Sequence, residues 1–400
     1  MRIAALALAL TVACTTVPAA TAPADPSPEA TAVRTAAPAA TAAPAPTAAV
    51  AAVPEPPRVL RTIGGVEFEA VDSAADLFVE AAIGRDDGAV IGAQVASDIA
   101  DVEREFARPF AHRPVVYVFA TTASYARGMA GIFGYPPATA TFIAESSVSF
   151  FEPPLRIIGV NWEAVGERRP VASIRHELVH DMTLDACGRY CHLVPAWLNE
   201  GQARLAEALI AGSEWRLARV RYEAASMAVT DTLIPLRDLV SQHAWNSLTD
   251  WAGYYKYQQA ARTVELLRED VGGSSPIARV YERIARGESV AQAYAALTGR
   301  SFDAFLAGLP ARIAAPAPGP SVVATTSAGA PRAAFLVHGF PPSSPVTVRI
   351  EGTRAAMEWM LTVSPFGAAF EAVPGDLPRG RYTITATSPA AAATVTATRR

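Results

Sequence analysis

Apolar positions change period several times along this chain of 400 residues, and the changes divide it. Residues 66–71, VEFEAV, alternate apolar and charged side chains, as a half-buried strand does. Residues 74–83 and 89–106 place apolar side chains three and four apart, which predicts two helices. Residues 114–121, PVVYVFAT, form an apolar run of strand length and predict a buried strand. A stretch broken by Gly and Pro follows over 131–137, and then ATFIAE (140–145) and LRIIGVNW (155–162) read as further strands. Val171, Ile174, Leu178 and Val179 lie on one helical stripe, with Pro170 suited to its first turn. Beyond residue 200 the pattern is helical over 203–210, 214–226, 251–270, 276–286, 289–298 and 302–309, punctuated by Gly272, Gly273, Gly287 and Gly299.

The texture changes again after a linker rich in Ala, Pro and Gly over 314–330. AAFLVHGF, PVTVRIEG, MEWMLTVS, AAFEAVPG and GRYTITATS are short alternating runs set apart by Pro, Ser and Gly, the pattern of a small β-sandwich over 331–400. This segment resembles the Ig-like domains appended to bacterial surface proteins. His338 in it is expected to face solvent from a strand.

At the other end, MRIAALALALTVACTT carries one arginine and a short apolar run before Cys14. The run is too short to span a bilayer and predicts an export signal over 1–14. It is similar to a bacterial lipoprotein signal, with Ala13 and Cys14 fitting the lipobox and Thr11 departing from it. Membrane attachment through a lipidated Cys14 is the expectation, and an ordinary secretory signal cleaved near Ala20 or Ala24 the alternative. Residues 15–57 are Ala, Pro, Thr and little else, a composition that predicts a disordered, extended tether. A net charge of −4 favours neither nucleic acid nor an anionic surface as partner. Lys256 is the sole lysine.

The chemistry lies in HELVH, residues 176–180. Side chains four apart share one face of a helix, so His176 and His180 can both offer a ring nitrogen to one ion. Glu177 then stands one position round the helix, where a carboxylate acts as a base without being a ligand. A catalytic zinc needs a third protein ligand. The HExxHxxGxxH pattern is excluded, because Thr183 and Ala186 stand at its Gly and last His. Twenty residues beyond His180, PAWLNEGQARLAEAL offers Glu200 on a second helix.

With these two signatures the chain resembles the gluzincin metallopeptidases, and more narrowly the bacterial peptidase MA-like domains, over roughly residues 60–310. The resemblance implies an α+β fold: a zincin-like domain over 58–313, with an N-terminal sheet and helices and a C-terminal helical lobe, ahead of the sandwich. It implies Zn2+ held by His176, His180 and Glu200, with Glu177 as base in hydrolysis of a peptide or protein substrate. It also implies a sheet edge beside the metal, here expected over 140–151. The best-known gluzincins orient a histidine with an aspartate one turn after the glutamate ligand; that position is Arg204 here, and Asp181, Asp185 or Glu207 can take over. They also place a tyrosine or histidine opposite the metal as oxyanion donor. Matching Gln259 in YYKYQQAARTVELL to the family's glutamine makes that residue Tyr257, with Ala260 departing from a serine and Tyr254, Tyr255 and His243 as competitors. His192 is the fallback third ligand. Cys187 and Cys191 can close a small disulfide ring in an oxidising compartment, with two free thiols or a further metal site including His192 as alternatives. A catalytically inactive envelope-binding protein and a structural zinc protein are the rival readings; an intact Glu177 speaks against both.

Overall fold

The computed structural model describes residues 12–15, 60–166, 171–210, 214–325, 334–352, 356–372 and 380–399. The expected leader up to residue 11, the tether beyond Thr15 and Pro170 lie outside the described residues. The fold is α+β. Its first layer comprises β1 (Val12–Thr15), β2 (Leu60–Ile63), β3 (Val66–Val71), β4 (Asp76–Glu80), α1 (Arg85–Phe106), β5 (Val115–Phe119), α2 (Thr122–Gly131), α3 (Pro137–Ser146), β6 (Ser147–Glu152), β7 (Ile157–Asn161) and α4 (Trp162–Val165). The strands form one sheet in the order β1-β6-β7-β5-β4-β3-β2. Strands β4, β5 and β7 run parallel, and the other neighbours are antiparallel.

Strand β5 reads as one apolar run because both its faces are covered. Val116 and Val118 pack with Ile91, Val95, Ile99 and Val102 of α1. Tyr117 and Phe119 face the other way, onto Tyr125, Met129 and Ile143 of α2 and α3. Each such side chain contributes about 1.5–3 kcal/mol of burial.

Three local expectations are overturned here. Residues 74–83 are not a helix: Leu77 and Val79 alternate into the core from β4, and Ala81–Ile83 make a 3₁₀ turn. Pairing with β5 outweighs the helical preference of the alanines around them. ATFIAE is not a strand but part of α3, where Pro137 sits in the first turn and Ala140, Ile143 and Ala144 are buried three and four apart. The expected edge over 140–151 therefore shrinks to β6, and β1 pairs outside it with Val12 opposite Phe151 and Ala13 opposite Phe150.

The second layer is helical. It begins with α5 (Ala172–Cys187) and α6 (Ala196–Ala208) and continues through α7 (Glu214–Val229), α8 (Gln242–Ser247), α9 (Asp250–Val271), α10 (Pro276–Ile284), α11 (Val290–Thr298) and α12 (Phe302–Ala314). Among the described residues no helix is long and apolar enough to cross a membrane.

Two further sheets share one core at the C-terminal end. One has the order β12-β9-β8 and the other β11-β10-β13-β14, from β8 (Ser321–Thr325), β9 (Ala334–His338), β10 (Pro345–Gly352), β11 (Ala356–Thr362), β12 (Ala369–Ala372), β13 (Gly380–Ser388) and β14 (Ala391–Arg399). Val346, Val348 and Ile350 of β10 point into that core while Thr347, Arg349 and Glu351 are exposed. Strand β8 lies inside the segment 314–330 expected as a linker, and α12 runs into its first residue. His338 is also corrected: it is fully buried, its ring 4.9 Å from that of Tyr222 on α7. The sheets lean on the helical lobe there, and Ser226 of α7 donates to the Phe366 carbonyl at 2.6 Å while accepting from the Gly339 amide at 3.0 Å.

Candidate metal centre

Helix α5 is buried on every side, yet Arg175, His176, Glu177, His180 and Asp181 stand within it. Buried ionisable groups require partners. Arg175 finds Asp98 of α1 at 2.7 Å. Asp181 accepts from Arg156 at 2.8 Å and faces His112 at 3.2 Å. The start of α5 is pinned by Gln94, which donates to the Val171 carbonyl and accepts from its amide, both at 2.8 Å. His176, Glu177 and His180 remain, and they converge.

The third member comes from α6. Gly201 lets α9 approach α6 so closely that a Cβ there would lie 2.6 Å from the Ala260 carbonyl oxygen. Glu200, one residue earlier, is turned onto α5, its Oε2 3.5 Å from Nε2 of His176 and 3.6 Å from Nε2 of His180. One ligand atom from each of the three residues lies within 4.8 Å of the other two, and all three side chains are buried. The sequence-predicted ligands are thus brought together, while His192 is exposed on the 3₁₀ turn Gly188–Leu193 and is not in the cluster.

The outer contacts decide what the cluster offers. Nδ1 of His176 lies 2.8 Å from Oε1 of Glu207, and Nδ1 of His180 lies 3.1 Å from Oδ1 of Asn199. The Asn199 oxygen accepts from Nδ1 of His180, so Nε2 of that ring presents a lone pair, while Nδ1 of His176 lies close to the Glu207 carboxylate without being aligned for a hydrogen bond. Among the described residues, no donor reaches Nε2 of His180 or Oε2 of Glu200. Lone pairs facing one another in a dry interior repel unless a cation stands between them. Atoms about 2.0–2.1 Å from a common centre in a tetrahedral arrangement sit roughly 3.3–3.4 Å apart, close to the separations here. Two of the three separations are near that value and all lie within 4.8 Å, so the donor set could hold a divalent cation. Burial acts to raise the Glu200 carboxyl, but protonated His180 and His176 imidazoles beside it would outweigh that and hold the group far below the usual carboxylate range when no cation stands between them. Burial also acts against Glu207, where Arg204 and His176 prevail and lower it to about 2. Of the three acidic residues named as possible partners of a histidine, Glu207 lies beside His176 and is ion-paired with Arg204. Asp181 and Asp185 are engaged by Arg156 on another side of α5.

Glu177 is wholly buried, and burial raises its carboxyl above the ordinary range against the pull of His176, His180 and Ser149. Ser149 of β6 donates to its Oε1 at 2.7 Å. Of the three candidate tyrosines on α9, Tyr257 lies beside the cluster, its ring 6.2 Å from that of His176 and edge-on to Trp245 at 4.9 Å. Tyr254 is occupied with Arg219, Glu223 and Gln258. Tyr255 bonds Ser364 and the Ala368 carbonyl of the C-terminal sheets. His243 is exposed on α8.

Four contributors escaped the sequence reading: Ser149, Asn199, Gln242 and Lys256. Gln242 of α8 donates to Oε1 of Glu200 at 3.1 Å. Asn199 had a signal, since it directly precedes the ligand in WLNEG. Past the cluster, Cys187 and Cys191 form a disulfide with Cα atoms 4.9 Å apart, joining the end of α5 to the 3₁₀ turn. The chain leaves the helix at Gly188, φ 53°, so the pair is closer than the about 6 Å of continued helical spacing. No protein-family model matches this chain, and no curated protein matches it either.

Proposed function

We propose that this chain is a zinc-dependent peptidase of the gluzincin type, built on a zincin-like domain with an appended Ig-like sandwich. The observation that carries the reading is the place of Glu177. It is buried one position round α5 from two histidines that face Glu200, with Oε1 held by Ser149 and no protein donor on Oε2 among the described residues. A site that only held a metal for stability has no use for that carboxylate.

Zinc bound by His176, His180 and Glu200 would supply Lewis acidity and bring the pKa of a water towards neutrality. Glu177 takes the proton from water as its oxygen bonds to the peptide carbonyl carbon, and returns it to the amine nitrogen as the C–N bond breaks. The O–H of Tyr257 donates to the carbonyl oxygen as negative charge develops there. Strand β6 carries Ser149, and its outer side is paired with Val12–Thr15, so an extended peptide would bind there in place of that segment. A peptide bound in that manner would run past Glu177. We place the protein at the bacterial cell envelope, exported by its leader and attached through a lipid on Cys14.

The test is hydrolysis of casein or a peptide library by the purified mature chain, with and without a chelator. Glu177→Gln should keep its zinc and lose hydrolysis, and Glu200→Ala should lose zinc. Full zinc occupancy in Glu200→Ala, or unchanged hydrolysis in Glu177→Gln, overturns the reading.

A further inference from the structure

We infer that α8 is a positioning wedge between the third ligand and Tyr257, with Gln242 and Lys256 as its two fixed points. The inference rests on the proposed reading of His176, His180 and Glu200 as zinc ligands and goes beyond it to residues outside both signatures.

The first fixed point is the start of α8. Glu200 is wholly buried, so water does not fix its carboxylate. Gln242 does: its amide holds Oε1 at 3.1 Å and leaves Oε2 to face both imidazoles. The same amide donates to Asn246 one turn on, at 3.2 Å, which fixes its own rotamer. An isolated helix of six residues does not hold its shape in water. Its orientation must therefore come from its ends.

The second fixed point is the far end. The last carbonyls of a helix have no partner within it. Here the Trp245 carbonyl, which also accepts from the Leu248 amide at 3.3 Å, and the Leu248 carbonyl accept from Nζ of Lys256 at 2.6 and 3.0 Å. Lys256 is 1% exposed, and its ammonium also lies 5.0 Å from the Trp245 ring and 5.6 Å from the Tyr257 ring. A compact ammonium with rotatable donors satisfies two converging carbonyls in a closed pocket, whereas a flat guanidinium is wider and projects its donors in a fixed fork. That accounts for lysine here in a chain whose other basic residues are arginine or histidine. Trp245, fully buried, then packs perpendicular to Tyr257. The contacts run without a gap from Glu200 through Gln242, α8 and Lys256 to Tyr257. Gln242 and Lys256 act through other residues and do not touch substrate.

Zinc affinity of the full chain, measured by competition with a chromophoric chelator, tests this independently of hydrolysis. Gln242→Ala should weaken zinc binding by about 10- to 100-fold, the scale of losing a partner that orients a ligand. The melting temperature of the zinc-free chain should fall as well, since the buried Glu200 carboxylate loses its donor. Lys256→Met should weaken zinc as well, and the double variant should bind no more weakly than Gln242→Ala, because Lys256 acts through α8. Lys256→Arg should fail to restore wild-type affinity, and it replaces Lys256→Met in the cycle if the latter does not fold. Equal zinc affinity in Gln242→Ala and wild type overturns the role of α8 while leaving the ligand set standing. Additive losses in the double variant, or full affinity in Lys256→Arg, overturn the role of Lys256. A wild-type chain that takes up no zinc removes both this inference and the proposed function.

Discussion

Glu207 faces His176 across the interface of α6 and α5, Oε1 to Nδ1 at 2.8 Å, and its other oxygen is held by Arg204. The carboxylate beside the first histidine thus lies seven residues beyond Glu200, two turns along the same face of α6. Glu207→Ala should cost about 10- to 100-fold in zinc affinity. Glu207→Gln should cost less if an acceptor beside Nδ1 is what matters, since its amide oxygen can take the same place. Chelator competition on the two variants checks the order; equal losses would show that charge, not acceptance, is what matters.

The parts of this site differ in how far local pattern announced them. His176, His180 and Glu200 were legible because HELVH places two of them on one helix face and WLNEG places the third on the helix that crosses it. Glu207 was one of three candidates, and only the turn of α6 separated it from Asp181 and Asp185. Ser149 and Gln242 reach the cluster from 28 and 42 residues away in the chain, and no local pattern announces such contacts. The same boundary runs through the fold. Strands with one exposed face, such as β3 and β10, declared themselves by alternation. ATFIAE and the run around Asp76–Glu80 were exchanged between helix and strand because a short apolar segment covered by neighbours carries no readable period. His338 was misplaced for a related reason: alternation tells which side of a strand a residue is on, not that a helix covers that side.

The disulfide at the end of α5 closes a small ring, and in the chain-entropy picture a loop of that size contributes about 2 kcal/mol. Cys187→Ser with Cys191→Ser should lower the melting temperature by several degrees while leaving zinc stoichiometry unchanged, because neither sulfur belongs to the cluster. Thiol titration of the unfolded mature chain without reductant should find neither of these two cysteines reactive. Two reactive groups would show that the bridge does not form.

His338 predicts a pH dependence of stability. Burial lowers its pKa from an ordinary 6.5 to about 4, so the folded chain keeps the imidazole neutral where the unfolded chain has begun to protonate it. The unfolded state then binds more protons between about pH 6.5 and 4, and stability falls as pH drops through that window. The full loss is on the order of 3 kcal/mol and levels off below about pH 4. Melting curves of wild type and His338→Phe at pH 7.5, 5.5 and 4 measure it. The variant should lose less stability on acidification than the wild type, and parallel losses would remove His338 as the source.

Tyr255 and Tyr257 stand two residues apart on α9, and two residues turn a helix through about 200°, so they face opposite ways. Tyr255 is 2% exposed and donates to the Ala368 carbonyl at 3.2 Å while accepting from Ser364 at 3.0 Å, which ties α9 to the C-terminal sheets. Tyr257 turns to His176 and Trp245. Removing the hydroxyl from each should therefore separate stability from catalysis. Tyr255→Phe removes two bonds from groups that keep other partners, the Ala368 carbonyl with the Ser364 amide and the Ser364 hydroxyl with the Phe366 and Ala368 amides, and should cost about 0.5–1.5 kcal/mol of stability, with kcat per zinc-loaded molecule near wild type. Tyr257→Phe should keep stability and zinc content and lower kcat by about 10²-fold or more, the scale of one lost oxyanion donor. The loss should fall on kcat rather than KM, because the bond strengthens only as charge develops on the carbonyl oxygen. A kcat within a few-fold of wild type in Tyr257→Phe would make its contact with His176 a matter of packing, and the oxyanion donor would have to come from another residue.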